Sequence, residues 1–598
     1  MSVAQAAPLA APGESLARQP DGTTFAIRQH GNGSVIWYSH DDYTIVRNDA
    51  GQWVYAQAVA VAKHVGGPAT VIGASPFVVG RADPAAAGLQ PNLTPVISVS
   101  AAAAAKSVTA SNPMVAATGS IPLLVILGYY DDAVNAPNCS ACAKTSPDYF
   151  QEAVFSKVPE AKSVVNYFSQ ASLGTLAVIP VAESHGEAND GIVGWLNLGA
   201  TTPEGTTLST SAYKSNTLAA DAINAAMAYV DFTAYDTNGD AVVSARELSI
   251  LVIIAGYEGS YGRDENSKTL SEDTTSPRVW GQSRSFVPAF SGVEAPVQSR
   301  NGKTVTINTT ESGGMTYSVM AELHGDHPAT IGIMAHELGH AMLGLPDLYD
   351  ITNASSGIGV WSLMSYGSWG QSFADTYAGA TPVMLDAWSR YAMGWITPVT
   401  PSSGSQFTAD ASHGSDADVI LLPTDKDLEY FLIENRQNGG FDRGLERLLV
   451  SVTFGGLAVW HIDDSVGTPG FNNDNANKSH RRVDLIAAVN DSLLDDGSGY
   501  GQAVNLYYAG NVTDLNGSTT PDTDLYDGTP SGFTLSQVSA SAAAMTGVVT
   551  YSGTATTVSV TGEGDGSTQE SASSGGGGGG TLGVWAVVLG GLFRRYRR

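Results

Sequence analysis

The chain has 598 residues, with 43% hydrophobic content, 67 glycines and 27 prolines; at roughly 150 residues per domain that is about four structural units, with enough apolar material for sizeable cores, so wholesale disorder is excluded. Basic residues number 29 and acidic ones 57, a formal net charge of −28, and a field of that sign repels phosphate backbones, which excludes nucleic acid as the main partner. Only 14% of residues are charged and two are cysteine, a composition that suits a secreted bacterial protein and rules out a disulfide-built scaffold.

Taken in chain order, residues 1–14 lack a basic and an apolar region, but Ser2 to Ala7 resembles the small-residue end of a signal-peptide cleavage site, so this stretch is expected to be a signal remnant. Residues 15–65 alternate polar and apolar groups between turn signals at Pro20-Asp-Gly22, Gly31-Asn-Gly33 and Asn48-Asp-Ala-Gly51, the pattern of a small β-rich unit. The Ala/Ser/Thr/Pro-rich stretch 66–118 reads as a linker. A strand apolar on both faces follows at Ile121–Tyr129. Cys139 and Cys142 have the spacing of a redox pair or a local disulfide; with no βαβ pattern leading into them, a staple on a surface loop is the expectation. Helical periodicity covers 148–171, 217–230, 330–344 and 381–394, and from about 401 the chain turns strand-like, notably at 430–436 and 456–463. A Ser/Thr/Gly-rich spacer occupies 555–580.

The chemistry concentrates in IMAHELGHAMLGLPDLYD, Ile333 to Asp350. His336 and His340 are four apart, so on a helix they stand one above the other and can hold a single zinc ion. Glu337, beside the first histidine, can take a proton from water that zinc has acidified. Gly344 and Pro346 end the helix and turn the chain, returning Asp347 or Asp350 as a third ligand. His324 and His327 just upstream are weaker candidates. Met364, in the string Ser362-Leu-Met-Ser-Tyr-Gly367, with Tyr366 two residues on, resembles the Met-turn of metzincin proteases, and Tyr366 is then expected to donate to the developing oxyanion.

Together with TPVMLDAWSRYAMGWITPV at 381–399, EYFLIENRQNGGFDRGL at 429–445, GLAVWHIDD at 456–464 and SVVNYFSQASLGTLAV at 163–178, these motifs make the chain resemble the immune inhibitor A family of secreted zinc metalloproteases over about 120–550, with a weaker likeness to its pro-region at 20–57. The resemblance implies an α+β fold: a zincin- or metzincin-like catalytic domain over 119–400, followed by a β-rich C-terminal domain over 401–554. In the family's HExxHxxGxxD pattern two residues separate the second histidine from the glycine, whereas here Ala341-Met-Leu343 intervene. If the helix continued, that extra residue would rotate Asp347 by about 100°.

A second metal signal is DTNGDAVVSARE, 236–247, where Asp236, Asn238, Asp240, the Val242 carbonyl and Glu247 fall at positions 1, 3, 5, 7 and 12 of a calcium loop, with Ala241 in place of the usual glycine. Aspartates 463–464, 474 and 484 form either another calcium site or a solvated acidic face, and His461 reads as a hydrogen-bonded structural residue. At the C-terminus, six glycines at 575–580, an apolar stretch at 581–593 and RRYRR at 594–598 resemble the glycine-rich sorting signals of Gram-negative surface proteins. That resemblance implies a short membrane-spanning helix, export machinery and removal of the tail by an intramembrane rhomboid-type protease. The expected function is a secreted or surface-attached zinc endopeptidase acting on protein or peptide substrates, with structural calcium. Two alternatives stand beside it: a non-catalytic calcium-stabilised surface adhesin, and a zinc hydrolase of non-peptide cell-wall material.

Overall fold

The computed structural model describes residues 8–553, apart from 33–34, 49, 60–70, 95–115, 138, 204–211, 271–276, 287–291, 308–314 and 468–473. The expectations for the signal remnant before residue 8, for 66–70 and 95–115 of the linker, for the spacer and for the C-terminal tail lie outside them.

The central sheet grows from runs too apolar to face water on either side. Gly119–Tyr130, Ser249–Glu258 and Tyr317–His324 lie side by side in parallel, with Leu176–Pro180 and Ile192–Gly199 parallel to the first of them. Alternation splits each strand between two cores. Leu123, Val125, Leu251, Ile253 and Met320 pack with helices Pro147–Phe155, Val164–Ala171 and Ile331–Ala341. Leu124, Ile126, Ile250, Val252 and Val319 pack with Leu218, Ala222 and Ile223 of Ala212–Ala226 on the opposite face. The sheet edge is a short strand, Gln282–Arg284, antiparallel to Tyr317–His324 with Ser283 opposite Ser318.

Six antiparallel strands from Glu14–Arg18 to Val71–Val78 form a separate sheet around Phe25, Ile27, Ile45, Trp53 and Tyr55. The last of these strands lies inside the stretch read as a linker; its VIGASPFV sequence hides the strand behind small residues and a proline. The helix expected over 148–171 is two helices, broken where Lys157-Val-Pro159 cannot continue the turn. That over 381–394 shrinks to Ala387–Ala392, capped by the Asp386 carboxylate accepting from the Ser389 amide.

Beyond residue 400 the strands form two antiparallel sheets, one of Val419–Pro423, Glu429–Gln437, Gly455–Asp463 and Val483–Leu485, the other of Ser405–Asp410, Ala544–Thr550 and Thr534–Ser536. Leu432, Trp460 and Ile462 belong to the same core as the helix Ile331–Ala341. The Cys139–Cys142 disulfide is formed, yet both cysteines are buried against Tyr257, Leu270 and Leu323 rather than riding on the surface. Three backbone amides of that loop, from Ala143, Lys144 and Thr145, donate to the buried Glu322 carboxylate at the end of a central strand.

One expectation is overturned. Among the described residues no helix is long and apolar enough to cross a membrane. The stretch on which a spanning helix was expected, 581–593, lies outside those residues, and as a helix so short a run would reach about 20 Å against a hydrocarbon core of about 30 Å.

Candidate active site

All eleven residues of the helix Ile331–Ala341 are buried. Met, Ala, Leu and Glu favour the helix; Gly339 does not, and its presence is explained by packing. A Cβ at Gly339 would sit 2.7 Å from Met364 Sδ. The bare backbone lets Met364 lie directly against the turn between the two histidines.

The helix stops at Ala341, and Gly344 adopts φ 76°, a left-handed conformation that turns the chain back. The extra residue of Ala341-Met-Leu343 is absorbed in that turn, so the rotation expected of a continuing helix does not arise. Asp347 returns to the histidines: its Oδ1 is 3.2 Å from His336 Nε2 and 3.2 Å from His340 Nε2, and the two Nε2 atoms are 3.2 Å apart. Asp350 points elsewhere, accepting from the Thr352 amide and the Thr352 and Ser355 hydroxyls.

The other imidazole nitrogens fix the tautomers. His336 Nδ1 is 2.8 Å from the Leu363 carbonyl and His340 Nδ1 is 2.6 Å from the Leu345 carbonyl. A carbonyl only accepts, so each Nδ1 carries the proton and each Nε2 presents a lone pair inward. Two lone pairs and a carboxylate oxygen thus face a common point inside a fully buried site. Such an arrangement repels itself unless a cation sits between them. An equilateral set with edges near 3.2 Å also matches a tetrahedral site with bonds of about 2.0–2.1 Å, whose edges are about 3.3 Å. Among the described residues this is the single group of three metal-ligating side chains.

Glu337 is fully buried, and Ser283 on the edge strand donates to it at 2.8 Å from Oε2, leaving Oε1 with no hydrogen-bond partner. Burial pushes its carboxyl well above the ordinary range, against the Ser283 hydrogen bond and with the Asp347 charge adding to the rise. Asp347 moves the other way: despite burial, His340 and His336 hold its carboxyl well below the usual value.

Tyr366 begins a short 3-10 turn after Met364, with its ring 3.9 Å from that of Tyr500 and a side-chain hydrogen bond between them. Tyr349, which drew no attention in the sequence, is buried and hydrogen-bonded to Asp347. His324 and His327 stack on Tyr261 and Tyr377 and are not part of the ligand group.

Two supports come from far along the chain. Arg436, held by Asp442 and Glu434, donates to the Trp361 carbonyl at 3.0 Å just ahead of the Met364 loop. Asn475 donates to the Leu348 carbonyl at 2.9 Å, beside Asp347.

The acidic loop at 236–247 is built differently. Ala241 takes φ 67°, the left-handed turn that glycine usually supplies, and Val242–Val243 pairs with Lys303–Ile307. The carboxylates, however, serve their own loop. Asp236 accepts from the Gly239 amide, Asp240 from the Val242 amide, Asn238 donates to Asp240, and Glu247 accepts from Thr237, Asn238 and Ser244. The aspartates further on are absorbed in ion pairs: Asp463 with His480, Asp474 with Arg482 and Asp484 with Arg481. His461 is 3.0 Å from Glu429 and stacks on Phe431 and Tyr526.

Comparison with known proteins places this geometry. The family model described as immune inhibitor A peptidase M6, catalytic domain, matches residues 214–396. The chain is 31% identical over 159 residues to immune inhibitor A of Bacillus thuringiensis subsp. alesti, covering 25% of this chain and 19% of that protein. It is 41% identical over 64 residues to the pre-pro-metalloprotease PrtV of Vibrio cholerae serotype O1 (strain M66-2), covering 10% of this chain and 6% of that protein. The chain therefore spans less than a fifth of the length of the relatives it matches. The stretch that matches the immune inhibitor A peptidase M6 catalytic-domain model, 214–396, contains His336, Glu337, His340 and Asp347, so the buried ligand group falls inside the part of the chain that is similar to metalloproteases.

Proposed function

We propose that this chain is an extracellular zinc endopeptidase that cleaves proteins or peptides, with a zincin-type catalytic domain of the metzincin kind. The observation that carries the reading is the triangle of His336 Nε2, His340 Nε2 and Asp347 Oδ1, each pair 3.2 Å apart, with Glu337 beside it. Two histidines and a carboxylate suit zinc, which when bound supplies an acidified water and a Lewis acid for the scissile carbonyl.

In this reading the chain's own groups do the rest. Glu337 receives a proton from the attacking water at Oε1 and returns it to the leaving amine, while Ser283 holds Oε2 and so fixes the carboxylate plane. Tyr349 orients Asp347. Tyr366 donates to the developing oxyanion after its hydroxyl leaves Tyr500. The β-rich unit at 15–65 acts as a pro-region over the cleft, residues 119–400 as the catalytic domain and 401–554 as its β-rich support. The Cys139–Cys142 disulfide supports an oxidising, extracytoplasmic location reached through export machinery. The rhomboid-type processing step depended on a membrane-spanning helix and is not carried forward. Structural calcium in the 236–247 loop is a secondary part of the reading, supported by the turn at Ala241.

The deciding experiment is casein hydrolysis by the processed protein and its Glu337→Gln variant, with zinc determined in both. Loss of activity in the variant with about one zinc per chain retained is expected. A wild type that holds no zinc would sink the reading.

A further inference from the structure

Pro8–Ala11 forms no helix or strand, yet it is buried: Leu9, Ala10 and Ala11 keep only 3%, 4% and 5% of their surface. Its main chain is held by residues far away in sequence. Trp280 Nε1 donates to the Pro8 carbonyl at 3.0 Å, Trp369 Nε1 to the Leu9 carbonyl at 2.8 Å, and the Ala11 amide donates to the Ser260 carbonyl at 2.7 Å.

These holders surround the front of the metal helix. Trp280 and Gly281 lead into the edge strand whose Ser283 holds Glu337. The position of a Cβ on Gly281 is 2.9 Å from Ile333 Cγ2 and 3.5 Å from Pro8 Cγ. Ile333 lies about one helical turn before Glu337. Trp369 closes the turn that begins at Tyr366, just past Met364. The segment therefore crosses the first turn of the metal helix, between the edge strand and the loop after Met364.

Successive carbonyls of an extended peptide point to opposite sides, and here they meet one indole from each wall. Contacts to carbonyls read the main chain and tolerate many side chains. A buried indole N–H also needs a partner, so removing Pro8–Ala11 leaves two donors to be satisfied by another peptide.

We propose that Trp280 and Trp369 are substrate-binding residues that clamp two consecutive main-chain carbonyls of an extended peptide, and that Pro8–Ala11 is a built-in occupant of that clamp. The occupant indicates the class of ligand: an extended segment with an aliphatic residue at the Leu9 position and a small one after it, where Ala10 packs on Trp280. This rests on the peptidase reading above only in supposing that the groove takes peptides.

The test uses the full chain carrying Glu337→Gln, so that nothing is cleaved, and a fluorescein-labelled peptide of residues 4–13, AQAAPLAAPG. Polarisation is measured with and without Leu9→Asp, which expels the resident segment; Leu9→Ala replaces it if the aspartate variant does not fold. The peptide is expected to bind at least ten-fold more tightly once Leu9 is changed. Trp280→Phe or Trp369→Phe should then each weaken it about five-fold, the size of one neutral hydrogen bond, with melting temperature followed in parallel. Equal binding to both chains, no binding, or affinity indifferent to both tryptophan changes overturns the clamp. If binding behaves as expected but processed protein with Glu337 restored cleaves neither casein nor the peptide, the clamp stands and the endopeptidase reading fails.

Discussion

Two stretches of this chain carry metal-binding spacing, and the structure treats them in opposite ways. At 333–350 three potential ligand atoms converge in a fully buried place, with their other atoms already engaged by carbonyls and by Tyr349. At 236–247 the acidic groups face their own backbone amides and lie largely at the surface. In the first, the protein keeps lone pairs together at a place where only a cation relieves them. In the second, the loop satisfies itself. Spacing alone reports neither state; what distinguishes them is where the remaining hydrogen bonds go.

The difference can be broken in order of expected effect. Glu337→Gln should lower casein hydrolysis about a thousand-fold while zinc content is unchanged, the signature of a lost proton acceptor rather than a lost ligand. Asp347→Asn should weaken zinc retention more than about 100-fold in competition with a chelator, whereas Asp350→Asn should leave it unaltered; the reverse result would reassign the third ligand. Ser283→Ala removes the hydrogen bond to Glu337 Oε2 and should cost about ten-fold in kcat with little change in KM. Smallest is the acidic loop: calcium should raise the melting temperature by no more than about 3 °C, and Glu247→Gln should erase even that without touching peptidase activity.

How far the sequence carried depends on how local each feature is. The His336–Glu337–His340 constellation was readable because helical geometry is rigid over four residues, and Met364 because a methionine turn at that distance is a compact signature. The choice between Asp347 and Asp350 was not, since it hangs on where the helix ends and how Gly344 turns. Ser283 lies on a three-residue strand 54 positions before Glu337, and no periodicity announces such a contact. Arg436 and Asn475 reach the site from strands and loops far downstream, so the part beyond residue 400 reads as an appendage in sequence and as scaffolding in space. The strand Val71–Val78 was masked by alanine, serine and proline, and the break at 156–163 by apolar spacing that runs on through it.

The left-handed turn at Gly344 has a consequence for how such sites are found. Because the helix ends at Ala341 and the turn resets direction, the carboxylate of Asp347 is brought to the histidine pair by a corner and not by a count of residues from the second histidine. The number of residues before the corner is free to vary while the triangle stays the same. A search written with a fixed gap would pass over this chain, whereas one that asks for a histidine pair, a helix-ending glycine and an aspartate soon after it would stop here.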